Sequence, residues 1–118
     1  MDVTPHTYRD LQDHLKKLKE TDLLWTIDEP IDKDSEMHPL VRWQFRGGIA
    51  EADRKAFLFT NVVDAKGRKY DIPVAVGALA ANQAVYSVGM DMALDKISEK
   101  WGKAIANPIA PRLVNAAP

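Results

Sequence analysis

The chain has 118 residues, 46% hydrophobic and 28% charged, which suits one folded domain and argues against disorder. A net charge of −1 supplies no field for non-specific nucleic-acid binding, and no run approaches the roughly 18 apolar residues that span a bilayer. With no cysteine there is no disulfide frame or thiolate chemistry, and the opening "MDVTPHTYRDLQ" lacks a signal-peptide layout, so a cytoplasmic protein is expected.

Tyr8, Leu11, Leu15 and Leu18 recur at three- and four-residue spacing and predict an amphipathic helix, with Thr7 as its N-cap and Asp10 as a capping-box partner. "DLLWTIDEP" then predicts a strand that Pro30 ends. A second helix is expected from Asp34 or Ser35, with Pro39 in its first turn. Its face is Met37, Leu40, Val41 and Phe45, and Gly47-Gly48 is its left-handed exit. "IAEADRK" is a polar bridge or a short extra turn. Phe57, Phe59 and Val62 read as a strand, "DAKGRK" as a turn, and Ile72 to Val76 as an antiparallel partner.

After Gly77, "ALAANQAVYSVGM" predicts a short helix closed by Gly89. Asp91 would cap a last helix whose Met90, Leu94, Ile97, Trp101 and Ile105 make one apolar stripe. "NPIAPRLVNAAP" cannot continue it, because three prolines fall in twelve residues. The expected fold is therefore α+β, a small sheet of about three strands packed with about four helices. Trp25, Trp43, Trp101, Phe57 and Phe59 would supply its large core and interface surfaces.

Catalytic machinery is hard to assemble from these residues. His14 lies one turn after Asp10 but has no third ligand in register, so it reads as a surface histidine. His38 reads as a capping or packing residue at a helix start, and His6 falls in the N-terminal tail. Asp28, Glu29, Asp32, Asp34 and Glu36 lack the central glycine and fixed ligand order of a calcium loop. "VGALAANQA" lies where phosphates bind at strand-to-helix junctions, yet Gly77 alone matches neither phosphate-binding fingerprint. The arginines form no basic stripe, and no serine sits in a nucleophile elbow.

The order of phrases carries more than any one of them. "YRDLQDHLKKLKETDLLWTIDEPIDKDSEMHPLVRW", "KAFLFTNV", "IPVAVGALA" and "MALDKISEKWGKAIANPIAPRLVNAAP" follow one another as in the N-terminal domain of UbiD-type decarboxylases, which the chain resembles over nearly its whole length. "RWQFRGGIAEADRKAFLF" is longer than the usual link at that place in the family. The resemblance implies reversible, non-oxidative carboxy-lyases acting on aromatic or α,β-unsaturated acids. It also implies prenylated FMN held with a divalent metal and potassium in a central domain, and a homo-oligomeric complete enzyme. The family's catalytic, flavin-binding and metal-binding residues belong to that central domain, so none is assigned here.

On this reading residues 1–90 form the N-terminal α+β domain, and 91–118 form a helix and proline-rich connector toward a flavin-binding domain. The chain itself holds no cofactor and is inactive alone. Leu94, Ile97, Trp101 and Ile105 are the candidate docking face for the central domain, in cis or as a separate subunit. The same stripe suits packing inside the domain equally well. Two alternatives remain: a free-standing binding or regulatory protein on the same domain, and an independent small enzyme, which requires turnover by this chain alone.

Overall fold

A computed structural model describes residues 8–116. Helix α1 (Leu11–Glu20) leads to strands β1 (Leu24–Ile27) and β2 (Ile31–Asp32), then helix α2 (Met37–Arg46). A short 3₁₀ turn, Glu51–Asp53, precedes strands β3 (Ala56–Phe59), β4 (Val62–Val63), β5 (Lys69–Tyr70) and β6 (Val74–Val76). Helix α3 (Gln83–Met90), a 3₁₀ turn at Leu94–Lys96 and helix α4 (Ile97–Ala106) complete the small α+β fold.

The strands form two three-stranded sheets, β1-β3-β6 and β2-β4-β5, each with one parallel and one antiparallel pairing. The two are halves of one broken ladder. Ile27 pairs with Phe59 and Ile31 with Val62, so Asp28, Glu29 and Pro30 stand opposite only Thr60 and Asn61. On the other side Phe59 pairs with Val74 and Val62 with Tyr70, so Asp71, Ile72 and Pro73 face the same two residues. Each outer strand thus carries one extra residue, as in a β-bulge, and each bulge holds a proline where a missing N–H costs no ladder bond. Thr60 and Asn61 bind the first bulge: Thr60 Oγ1 donates to Asp28 Oδ1 at 2.6 Å and Asn61 Nδ2 to the Asp28 carbonyl at 3.2 Å. Pro30 therefore interrupts the first strand, which resumes as β2. The antiparallel pairing expected around "DAKGRK" is present, with Ile72 outside it as an exposed bulge residue.

Alternation along β3 builds two cores. Ala56 and Leu58 face Leu15, Leu18, Leu24, Ala78, Ala81 and Val85, between the sheet and helices α1 and α3. Phe57 and Phe59 stack with ring centroids 5.4 Å apart and face Ile31, Met37 and Val62 beneath α2. The α2 face expected from spacing is in place: Met37 is buried, and Leu40, Val41 and Phe45 pack on these cores. Gly77, at φ +71, turns the chain out of β6, and a Cβ there would lie 3.3 Å from both Phe45 and Ala81.

Several ends differ from expectation. Thr7 and His6 lie outside the described residues. Asp10 is itself the N-cap of α1, accepting from the Asp13 amide at 3.0 Å. Helix α2 starts at Met37, two residues after Ser35, with Pro39 in its first turn, and Gly48 rather than Gly47 has positive φ at its exit. Gly89 lies inside α3, and Asp91 ends that helix in the left-handed conformation instead of starting the next.

His14 is buried, not on the surface. It is 2% exposed, and its Nε2 bonds the Ala78 carbonyl at 2.6 Å, so Nε2 carries the proton and ties α1 to the start of the α3 segment. Its Nδ1 has no hydrogen-bond partner among the described residues. His38 is exposed on α2, packed into neither core.

A buried amide joins α2 to the sheet. Gln44 Nε2 donates to the Lys55 carbonyl at 2.7 Å, and its Oε1 accepts from the Lys55 amide at 3.0 Å, pairing both backbone groups beside β3. Gln44→Ala leaves both buried groups unpaired and is expected to cost about 1–3 kcal/mol, read as a lower urea midpoint. Gln44→Glu, which sets a carboxylate oxygen against the Lys55 carbonyl in a buried site, should cost at least as much.

Candidate docking surface on the C-terminal helix

The junction of α3 and α4 is stapled. Asp91 reverses the chain at φ 53, the Met92 amide returns to the Ser87 carbonyl at 3.1 Å, and Ser87 Oγ donates to the Met92 carbonyl. Lys100 Nζ donates to the Met90 carbonyl, satisfying an orphan acceptor at the end of α3. Trp101 Nε1 donates to Tyr86 Oη at 3.1 Å, and Ile97 is 6% exposed. These contacts fix the base of α4 on the domain.

Beyond the base no described residue covers the helix. Every described residue from Trp101 onward is exposed. The expected stripe is therefore divided: Ile97 packs inward, while Leu94, Trp101 and Ile105 are 46%, 49% and 73% exposed. Ile109, Leu113 and Val114 extend the uncovered apolar surface along the proline-containing segment. The radius of gyration is 17.5 Å, against about 13.5 Å for a compact domain of this length. The accessible surface, 8941 Å², exceeds by about 2,500 Å² the roughly 6,400 Å² of a compact monomer of 13.2 kDa.

The remaining sequence candidates do not converge. Among the described residues no group of three or more His, Asp or Glu side chains could hold a metal. The acidic run is engaged locally and by the turn after β4: Asp34 accepts from Lys33 and the Ala65 amide, and Asp32 from the Asp34 amide. The strand-to-helix junction after Gly77 is filled from within. Asn82 Oδ1 caps the Val85 amide at 2.8 Å, and Glu51 Oε1 accepts from the Gln83 amide at 2.6 Å. A phosphate would have to displace the Glu51 carboxylate, so these residues do not fit a flavin phosphate.

A shallow depression of about 330 Å³ runs along α1, lined by Tyr8, Asp13, Lys16, Lys17 and Glu20. All but Tyr8 are side chains of one helix, and they provide no convergent reactive set. Arg9 grips Asp13 there at 2.8 Å through its guanidinium, and also through its backbone amide. Those bonds lower the Asp13 carboxyl from 3.8 to about 2. A depressed carboxyl favours the fold above its ordinary range and loses that contribution as pH falls toward 2. An NMR titration should place the Asp13 midpoint near 2, and Arg9→Ala should raise it toward 3.8.

No family model, curated protein or solved structure matches the chain. Among the described residues no helix is long and apolar enough to cross a membrane.

Three features of the fold escape a reading of residue spacing. Exposed Trp43 and Trp25 look like core residues in the sequence, but Trp43 sits on the outer side of α2 and Trp25 on an edge strand, its ring 4.5 Å from Lys55 Nζ. The burial of Ile97 alone within the stripe follows from the elbow at Asp91, which no periodicity reveals. Tyr86, which holds Trp101, carries no signal beyond its place in α3.

Proposed function

We propose that this chain is the N-terminal scaffold domain of a UbiD-type reversible carboxy-lyase acting on aromatic or α,β-unsaturated acids in the cytoplasm. Its task is to dock on the central flavin-binding domain, in cis or as a separate subunit, and to support assembly of a homo-oligomeric enzyme. The observation that carries this reading is the uncovered row of Leu94, Trp101 and Ile105 on a helix whose base is rigidly stapled. Because the base of the helix is held in place before binding, Leu94 and Trp101 lose less conformational entropy on docking than the uncovered half that carries Ile105. The choice of partner rests on the resemblance of the ordered sequence phrases to that family. Prenylated FMN, the divalent metal and potassium of the complete enzyme belong to the partner, as do the reacting groups.

The test is association. Mixed with the flavin-binding remainder of a UbiD-type enzyme, the chain should co-elute in size-exclusion chromatography with light scattering. Separate elution at every concentration tried, or decarboxylation by the chain alone supplied with prenylated FMN, would sink the proposal.

A further inference from the structure

Helix α2 carries basic residues and no acid. By contrast α1 and α4 pair Lys16 with Glu20 and Lys103 with Glu99 one turn apart, and α3 has no charged residue. Although the arginines of the chain share no single period, Arg42 and Arg46 lie one turn apart, with His38 one turn before Arg42. At about 100° per residue, Pro39, Arg42, Trp43 and Arg46 fall within about 100° of arc, opposite the buried Met37 and Gln44. All four are exposed, as is His38, and Trp43 is 56% exposed. Among the described residues neither guanidinium nor the Trp43 indole has a hydrogen bond or ion pair. The acids on either side in sequence are turned elsewhere: Glu36 Oε1 accepts from the Asp32 amide at 2.9 Å, and Glu51 Oε1 from the Gln83 amide at 2.6 Å.

From this unbalanced charge we infer that the outer face of α2 binds an extended, carboxylate-bearing segment of a partner protein. Four residues of helix rise about 6 Å, close to the roughly 6.6 Å between alternate residues of an extended chain. Arg42 and Arg46 can therefore each receive one carboxylate from alternate positions of such a segment, in the two-pronged geometry that guanidinium favours. Trp43 and Pro39 lie beside them as an apolar row, and tryptophan and arginine are the side chains that most often carry interface energy. Gln44, bonded to both backbone groups of Lys55, holds the helix in one rotational setting from behind. One aromatic ring and two arginines, in a chain of net charge −1, are too few to track a nucleic-acid backbone, so carboxylates fit better than phosphodiesters. This surface is separate from α4 and does not depend on the docking role proposed above.

Fluorescence anisotropy with a labelled peptide of alternating glutamate and threonine tests this at low salt, beside the same peptide with glutamine for glutamate and a thymidine oligonucleotide. The glutamate peptide should bind at least about tenfold more tightly than the glutamine peptide, and its affinity should fall as salt rises. Arg42→Glu/Arg46→Glu should abolish that preference, and Trp43→Ala should weaken binding roughly threefold or more. None of these side chains lies in either core, and an unchanged urea midpoint would show that folding is intact. Arg42→Lys/Arg46→Lys, which keeps the charge but not the two-pronged fork, should retain only part of the affinity. Lys96→Glu/Lys103→Glu on α4 should bind as the parent chain does. No binding of the glutamate peptide, equal binding of the glutamine peptide, or tighter binding of the oligonucleotide overturns the inference. So does a loss in the α4 variant as large as in the α2 variant.

Discussion

Replacing Phe59 with alanine should cost about 3–5 kcal/mol, the largest single loss available in this fold. Phe59 is fully buried on the central strand, stacked on Phe57 and packed with Ile31, Met37 and Val62 beneath α2. Removing the ring deletes its transfer free energy and leaves a cavity that β3, paired on both sides, cannot close. A domain of this size is stable by about 5–15 kcal/mol, so the variant should lose a large part of that margin. Urea unfolding followed by far-ultraviolet circular dichroism measures the loss. Phe59→Leu, which refills much of the space, should recover most of it. A Phe59→Ala midpoint close to the parent's would mean that the sheet is not packed as described.

The second large effect should appear in binding and leave stability unchanged. Ile105→Asp changes a side chain that touches no core, so the urea midpoint should move by no more than about 0.5 kcal/mol. In the proposed interface the same change buries a charge against apolar groups, and the complex should be lost. Trp101→Ala removes a large aromatic anchor and should weaken association by about 2 kcal/mol or more, roughly thirtyfold. Tyr86→Phe separates packing from positioning: it keeps the ring but removes the acceptor of the Trp101 Nε1 bond. Its effect should be smaller than that of Trp101→Ala. Equal loss of folding and binding in Ile105→Asp would place Ile105 in the core instead.

Helices with one clear face were legible in the residues. Leu15 and Leu18 are buried as their spacing requires, whereas Leu11 of the same expected row is 53% exposed and Tyr8 precedes the helix; Met37, Leu40, Val41 and Phe45 turn inward from α2. The antiparallel pairing around "DAKGRK" was legible because turn and strands lie close together in the chain. The parallel pairing of β1 with β3 was not, since Leu24 meets Ala56 only after α2 and the 3₁₀ turn have intervened. Paired bulges at Pro30 and Pro73 also escaped, because each proline alone reads as the end of a strand. His14 misled for a related reason: its polarity suggested water, but the Ala78 carbonyl that accepts its hydrogen bond comes from a distant segment. At the docking surface the apolar row was visible, whereas the inward turn of Ile97 depends on the left-handed Asp91.

Hydrogen–deuterium exchange across residues 97–106, with and without the flavin-binding remainder of a UbiD-type enzyme, tests the docking role most directly. In the free chain the amides after Trp101 should exchange fast, because among the described residues that half of α4 has no tertiary cover. On adding the partner those amides should become strongly protected while β3 changes little. Slow exchange along all of α4 in the free chain, or an unchanged pattern when the partner is present, would contradict it.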